Sequence, residues 1–304
     1  MSRFPYLIAV MVAALALATG AAGAENFHEQ VAADPRGEVD VSNISGSIII
    51  TAWDRPEVSV SADLSSDSQR VRIITGRGHT RVCVAYGDSN GCNSNGYSGG
   101  GGSVRLEIRV PRQSELDVSA VSADINSSGV AGTQRLQTVS GDINAELGSG
   151  NDEVNSVSGT VTLRGSAEDG TLHVGSVSGD LRITNVAGEL DARTVNGTLT
   201  AELSTARQVQ LHTTSGDIEL SATLASGGTI ETETVSGDER LNVSGPGGYT
   251  YEAKTFSGDI TNCFGQRSER SEYGPGDHLE GTRGGGAGHI RMQSMSGDVH
   301  VCDH

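Results

Sequence analysis

One short phrase returns down the chain at nearly constant spacing: serine, glycine, aspartate, then an apolar residue. It stands at Ser140-Gly141-Asp142-Ile143, Ser178-Gly179-Asp180-Leu181, Ser215-Gly216-Asp217-Ile218, Ser257-Gly258-Asp259-Ile260 and Ser296-Gly297-Asp298-Val299. Looser copies stand at Ser45-Gly46-Ser47-Ile48, Ser122-Ala123-Asp124-Ile125, Ser158-Gly159-Thr160-Val161, Asn196-Gly197-Thr198-Leu199 and Ser236-Gly237-Asp238-Glu239. From residue 123 the third-from-last position of the phrase advances by 18 to 21 residues, apart from one step of 39 between Gly258 and Gly297. A degenerate copy, Pro275-Gly276-Asp277-His278-Leu279, divides that long step in two. A unit of about twenty residues cannot bury an apolar face alone, so the period calls for coils stacked on one another.

Each period divides in the same way. Leu190, Ala192 and Thr194 alternate with Asp191 and Arg193, which buries one face and wets the other. The Asn196-Gly197 turn follows, then Leu199-Thr200-Ala201-Glu202-Leu203. The register repeats in Val209, Leu211 and Thr213, in Ile230, Thr232 and Thr234, and in Ile290, Met292 and Ser294. A coil therefore supplies two short strands and two turns, and no stretch beyond the N-terminus shows a helical period. The expected fold is all-β: a parallel β-solenoid, wound as a right-handed β-helix by the handedness bias of parallel crossovers, with an N-terminal β-strand cap region. The 42 glycines and 4% aromatic content suit many tight turns around a thin aliphatic core.

Residues 1–24 carry one charge, Arg3, an apolar run from Leu7 to Leu17 and a small-residue ending, the pattern of a secretory signal peptide. Residues 25–112 read as an N-terminal β cap and lead-in region, with a Gly-rich loop at 87–103. Residues 113–304 read as solenoid repeats with a C-terminal insertion at 267–288. Solenoid ends expose unpaired strand edges, so the lead-in region and the insertion are the expected caps. Four cysteines in an exported chain are expected to pair. Three connectivities are open; closure within one region favours Cys83 with Cys92 and Cys263 with Cys302, which by loop entropy contribute roughly 3 and 4 kcal/mol.

The phrase itself is the constellation nearest to chemistry. Stacked at about 4.8 Å, Asp217, Asp238, Asp259 and Asp298 would form a file of carboxylates. An acid and base pair, however, needs two environments that push the pKa values apart, and a repeat supplies one environment many times over. The reading is structural: glycine for a positive φ, Asp and Ser for local turn bonds. It covers Gly141, Asp142, Gly159, Gly179, Asp180, Gly197, Gly216, Asp217, Gly237, Asp238, Gly258, Asp259, Gly297 and Asp298. Thr160 and Thr198 replace Asp in alternate coils, which makes glycine the firmer requirement.

No catalytic residue, cofactor or metal is assigned. Potential metal ligands gather at His300-Val301-Cys302-Asp303-His304, but Cys302 is committed to a disulfide. The net charge of −17, which loss of Arg3 would make more negative by one, repels nucleic acid and anionic membranes. With the leader removed, no membrane insertion is expected.

The chain resembles the bacterial putative-adhesin family of unknown function with β-strand repeats. The resemblance covers most of residues 36 to 304. It is carried by Ile44-Ser45-Gly46-Ser47-Ile48 with Ala52-Trp53-Asp54, by Ile108-Arg109-Val110-Pro111, by the Ser-Gly-Asp series, and by Asn262-Cys263-Phe264-Gly265. It implies an exported β-solenoid and brings no catalytic residues. The expectation is a non-enzymatic envelope protein, periplasmic or alternatively extracellular or cell-surface, that serves as a repeat scaffold for an envelope protein or glycan. Two other readings stay open. One is a polysaccharide-active β-helix enzyme built around Asp277, His278 and Arg283; the other is a structural protein stabilised by cations.

Overall fold

The computed structural model describes residues 25–66, 68–86, 92, 102–270 and 275–303. The leader at 1–24 and nearly all of the Gly-rich loop at 87–103 lie outside them. The described residues form twenty-two strands, with no helix among them and hence none long and apolar enough to cross a membrane.

The chain winds as a stack of coils whose twenty-two strands join in one continuous hydrogen-bonded sheet, folded at a sharp corner into two broad faces. Strands that run into the corner form an approach face, and strands that leave it form a departure face. In the coil at 187–203, for example, Leu190, Ala192 and Thr194 of the approach strand and Leu199, Ala201 and Leu203 of the departure strand all point inward and are buried. Pairing between coils is parallel and in register: Leu190 meets Val209 and Ala192 meets Leu211, and Val209 meets Ile230. The first residue after each corner makes a continuous apolar file through the core, Ile125, Ile143, Val161, Leu181, Leu199 and Ile218, in which every member is buried.

The corner explains the phrase. At Gly159 φ is +132° and at Gly197 +135°, and a Cβ on either would lie 2.2 or 2.3 Å from the carbonyl oxygen of the glycine one coil below. Left-handed backbone and the closeness of the adjoining coil both demand glycine. The aspartates act differently from the local turn bonds expected of them. Where a further coil follows, the aspartate accepts the backbone N–H of the equivalent residue in it: Asp124 Oδ1 from Asp142 N at 3.0 Å, Asp142 from Thr160 at 2.8 Å, Asp180 from Thr198 at 2.9 Å, Asp217 from Asp238 at 2.9 Å. A coil spacing of about 4.8 Å brings that amide directly over the carboxylate. Thr160 and Thr198 need only donate, which is why Asp can be dropped there.

The order of coils departs from a simple sequential stack at both ends. Strand Gly288–Ser296 lies between Ile218–Ser236 and Tyr249–Ser257, and Val299–Cys302 lies between Glu239–Ser244 and Ile260–Asn262. The last coil in sequence is thus the last but one in space, and the carboxylate file runs Asp217, Asp238, Asp298, Asp259 instead of in chain order. Asp298 accepts from Asp259 N and Asp238 accepts from Asp298 N. The N-terminal end mirrors this: Glu38–Trp53 lies between Glu115–Ser128 on one side and His79–Tyr86 and Val104–Pro111 on the other. The parallel stack therefore reaches back to residue 38, N-terminal to residue 113.

The Pro275-Gly276-Asp277 copy is not a coil. Its segment forms Asp277–Arg283, which runs antiparallel along the outer edge of Tyr249–Ser257 and closes the edge that a further coil would occupy. At the other end Glu25–Ala32, Glu57–Leu64 and Val104–Pro111 pair antiparallel, and Gln69–Gly76 does the same against His79–Tyr86. The structure joins Cys83 to Cys92 and Cys263 to Cys302. The second bridge ties the outermost coil to the inserted one. Tyr249, Tyr251 and Phe264 pack together there, with ring centroids 6.3 and 5.3 Å apart, so a chain poor in aromatics spends three of them on sealing this end.

Candidate interaction surface

Outside the core, the corner carries a second file. The residue two before the corner position is apolar and faces solvent in eight coils: Val121 (ahead of Ala123), Val139, Val157, Val177, Val195, Val235, Met295 and Phe256, each 42–59% exposed. The inter-coil register places them side by side. Ser156 pairs with Ser176 and Ser158 with Ser178, so Val157 abuts Val177; the same pairing sets Val177 beside Val195. Val235 stands beside Met295 and Met295 beside Phe256. Thr214 is the one polar member, between Val195 and Val235. At about 4.8 Å per coil the file runs for roughly 38 Å.

Local chemistry accounts for part of this. Alternation buries Thr138 and Thr194 and so turns Val139 and Val195 outward, and β-branched residues suit an exposed strand position. It does not account for Met295, which is neither β-branched nor aromatic and yet, with Phe256, is the most exposed member of the file. Contiguous exposed apolar surface is characteristic of contact sites. Next to it run parallel files of Ser and of Asp, so the corner is apolar on one flank and hydroxylated and acidic on the other.

The apolar file ends in a cleft of about 860 Å³ on the outer surface of the approach face. Val235, Met295 and Phe256 reach it from the corner, and Glu233, Lys254, Arg270 and Asp277, with the imidazole of His278, supply its polar wall. Asp277 Oδ2 accepts from Ser268 Oγ at 3.0 Å, and Arg270 lies 3.9 Å from the same carboxylate, so Asp277 holds the terminal hairpin in place. Asp277 and His278 both line the cleft, but Arg283 does not join them. It sits at the opposite end of the same strand, about 20 Å away at about 3.3 Å per residue, stacked 4.5 Å over Phe264 and ion-paired with Asp303. The three residues named for an enzyme reading are thus not brought to one point.

Two buried acids interrupt the core. Glu239 takes the place held by Ile218 below and Val299 above, is fully buried, and accepts from Thr232 Oγ1 at 2.6 Å; burial pushes its pKa up to about 8. Asp152, also buried, accepts the Gln134 backbone N–H at 2.8 Å, and burial raises it to about 6. Neither is itself among the residues that line the cleft.

The exposed file escaped the sequence reading, although its signal was there. Once Leu190, Ala192 and Thr194 are placed inside, Val195 must point out, and the same count applied to every copy yields an apolar residue on the wet register.

Residues 37–302 match the family described as Toastrack DUF4097. No curated protein matches. Among solved structures, a putative adhesin from Bacteroides fragilis NCTC 9343 is similar at 11% identity, covering 92% of this chain and 97% of its own, with a TM-score of 0.38. A putative cell adhesion protein from Clostridium sporogenes ATCC 15579 is 8% identical over 92% of this chain and 100% of its own, with a TM-score of 0.24. A putative lipid binding protein from Parabacteroides distasonis ATCC 8503 is 12% identical over 92% and 96%, with a TM-score of 0.30.

Proposed function

The chain belongs to the Toastrack DUF4097 family, and from that premise we propose that it is a non-enzymatic, exported scaffold of the cell envelope, a right-handed solenoid that holds a protein partner along its exposed corner. The observation that carries this reading is the file from Val121 to Phe256. A rigid row of aliphatic side chains at coil spacing offers a long, narrow apolar contact whose geometry needs no ordering on binding, which lowers the entropic cost of association. Aliphatic side chains favour a protein over a glycan, since sugar faces are held chiefly by aromatic stacking and Phe256 alone provides it in this file. The acidic flank adds selectivity for a basic or neutral partner surface. The periplasm is the compartment proposed, on the strength of the leader-like N-terminus and two disulfides.

The test is retention of the purified protein on an isolated envelope fraction, compared with a Val157→Asp, Val177→Asp double variant. Both sites lie on the surface, so urea midpoints should agree within about 0.5 kcal/mol per site. Burying two carboxylates in an apolar contact should cut retention at least tenfold, equivalent to about 1.4 kcal/mol. Equal retention would remove the corner from the function. Turnover of an acidic polysaccharide by the wild type, abolished in Asp277→Ala, would instead establish the enzyme reading.

A further inference from the structure

We propose that Cys263, His300 and Cys302 form a binding site for a soft divalent cation such as Zn²⁺, closed while the two sulfurs are bonded to each other and opened by reduction. The site is independent of the corner surface and does not rest on it.

The geometry comes from three positions brought together by the inserted coil. Thr261 and His300 are register partners on adjacent strands, and Cys263 is held beside them by its N–H, which donates to the Val301 carbonyl at 3.2 Å. His300 and Cys302 are two apart on one strand and share a face. His300 Nε2 lies 3.0 Å from Cys302 Sγ and 4.0 Å from Cys263 Sγ, and the three donor atoms all fall within 4.8 Å of one another. The other ring nitrogen, Nδ1, is 2.8 Å from Thr261 Oγ1. One nitrogen anchored by a neighbour and the other aimed at two sulfurs is the arrangement that orients a metal-bound imidazole.

The chemistry closes without further parts. A dithiol reductant gives two electrons and two protons to the Cys263–Cys302 bond and leaves as its own disulfide. The cation then displaces both thiol protons and takes the lone pair of neutral His300, and the two thiolates cancel its charge. With Zn–S of about 2.3 Å and Zn–N of about 2.0–2.1 Å, tetrahedral ligation sets sulfur about 3.5 Å from nitrogen and the two sulfurs about 3.8 Å apart. The first requirement is bracketed by the two existing distances. The second is met when the sulfurs part. Cys263 is exposed, His300 half-buried and Cys302 buried, so the cation enters from the Cys263 side and a water completes the fourth position.

The experiment uses the full mature chain, reduced with a phosphine and then freed of it, and titrated with Zn²⁺ against a chromophoric chelator. Alkylation by iodoacetamide is followed cysteine by cysteine by mass spectrometry. Zn²⁺ should slow alkylation of Cys263 and Cys302 at least tenfold and leave Cys83 and Cys92 unaffected, which serves as the internal control. The oxidised chain should bind no Zn²⁺ in competition with the chelator. His300→Ala and the more conservative His300→Gln, each with native circular dichroism, should bind at least tenfold more weakly. Absence of selective protection, equal affinity in whichever histidine variant folds, or equal binding by the oxidised chain would each overturn the site.

Discussion

Replacing Glu239 by leucine should make the protein more stable, by an amount that grows with pH. Glu239 occupies a core position between Ile218 and Val299. The carboxyl accepts from Thr232 Oγ1 and faces the Thr234 backbone N–H, while Oε1 makes no hydrogen bond of good geometry. Burial raises its pKa from 4.5 to about 8. Between those values the unfolded chain is ionised while the folded chain keeps its proton. Unfolding then releases a proton, so the contribution of Glu239 to stability is greatest below pH 4.5, falls by about 1.4 kcal/mol per pH unit up to pH 8 and is level above it. Over the whole interval the loss is on the order of 5 kcal/mol. Asp152 contributes the same sign, but only below its own value of about 6. The window from pH 6 to 8 therefore isolates Glu239, with an expected loss of roughly 3 kcal/mol. Urea unfolding at pH 6, 7 and 8 measures it, and the difference between variant and wild type cancels every other group that titrates there. Glu239→Leu should remove the slope and be several kcal/mol more stable than wild type at pH 8, after deducting about 1–2 kcal/mol for the orphaned Thr232 hydroxyl. Glu239→Gln should remove the slope with a smaller gain. Stability curves that run parallel in wild type and both variants would refute the claim that a proton is trapped in the core.

The corner makes two further predictions. Gly197→Ala combines φ of +135° with a Cβ 2.3 Å from the Gly179 carbonyl oxygen, whereas Gly227→Ala meets only φ of +77° with nothing within 4 Å; urea midpoints should show a loss of more than about 3 kcal/mol in the first and about 1 kcal/mol in the second. Asp180→Ala removes the acceptor of the Thr198 amide and should cost roughly 1 kcal/mol, while Asp180→Asn, which keeps an acceptor oxygen, should stay near wild type in the same melts.

What could be read from the sequence was what is local. Coil period, corner glycines and the inward register of Leu190, Ala192 and Thr194 each follow from a few consecutive residues, because stacking imposes the same local geometry on every copy. The order of coils could not be read this way. Asp259 and Asp298 both stand in a Ser-Gly-Asp phrase followed by an aliphatic residue, so either could follow Asp238, and only the path of the intervening hairpin decides. The same ambiguity disguised Asp277, whose Gly-Asp pair imitates a corner while its strand runs the other way. The exposed file was visible but outweighed: Val139 and Val177 are what strand propensity would choose anyway, and only the run of exposed neighbours, ending in Met295 and Phe256, separates a surface from a preference. The Glu239 anomaly was legible as a break in the apolar position, though its depth in the core was not.

The inserted order at the C-terminal end follows from what the hairpin occupies, and it can be tested directly. Asp277–Arg283 covers the outer edge of Tyr249–Ser257, so a final coil arriving after it finds that edge filled. The edge still open is the one between Ile218–Ser236 and Tyr249–Ser257, where Gly288–Ser296 pairs on both sides. In that order Glu231 and Glu252 each neighbour Arg291 from opposite sides and are two coils, about 9.6 Å, apart. In a sequential stack Glu231 and Glu252 would be neighbours instead. A disulfide needs Cα atoms within about 7 Å. A Glu231→Cys, Arg291→Cys variant should therefore oxidise to a bridge mapped by mass spectrometry, and Glu231→Cys, Glu252→Cys should keep both thiols free. The reverse pattern would mean that the coils stack in chain order, and the hairpin would then have to lie on some other edge.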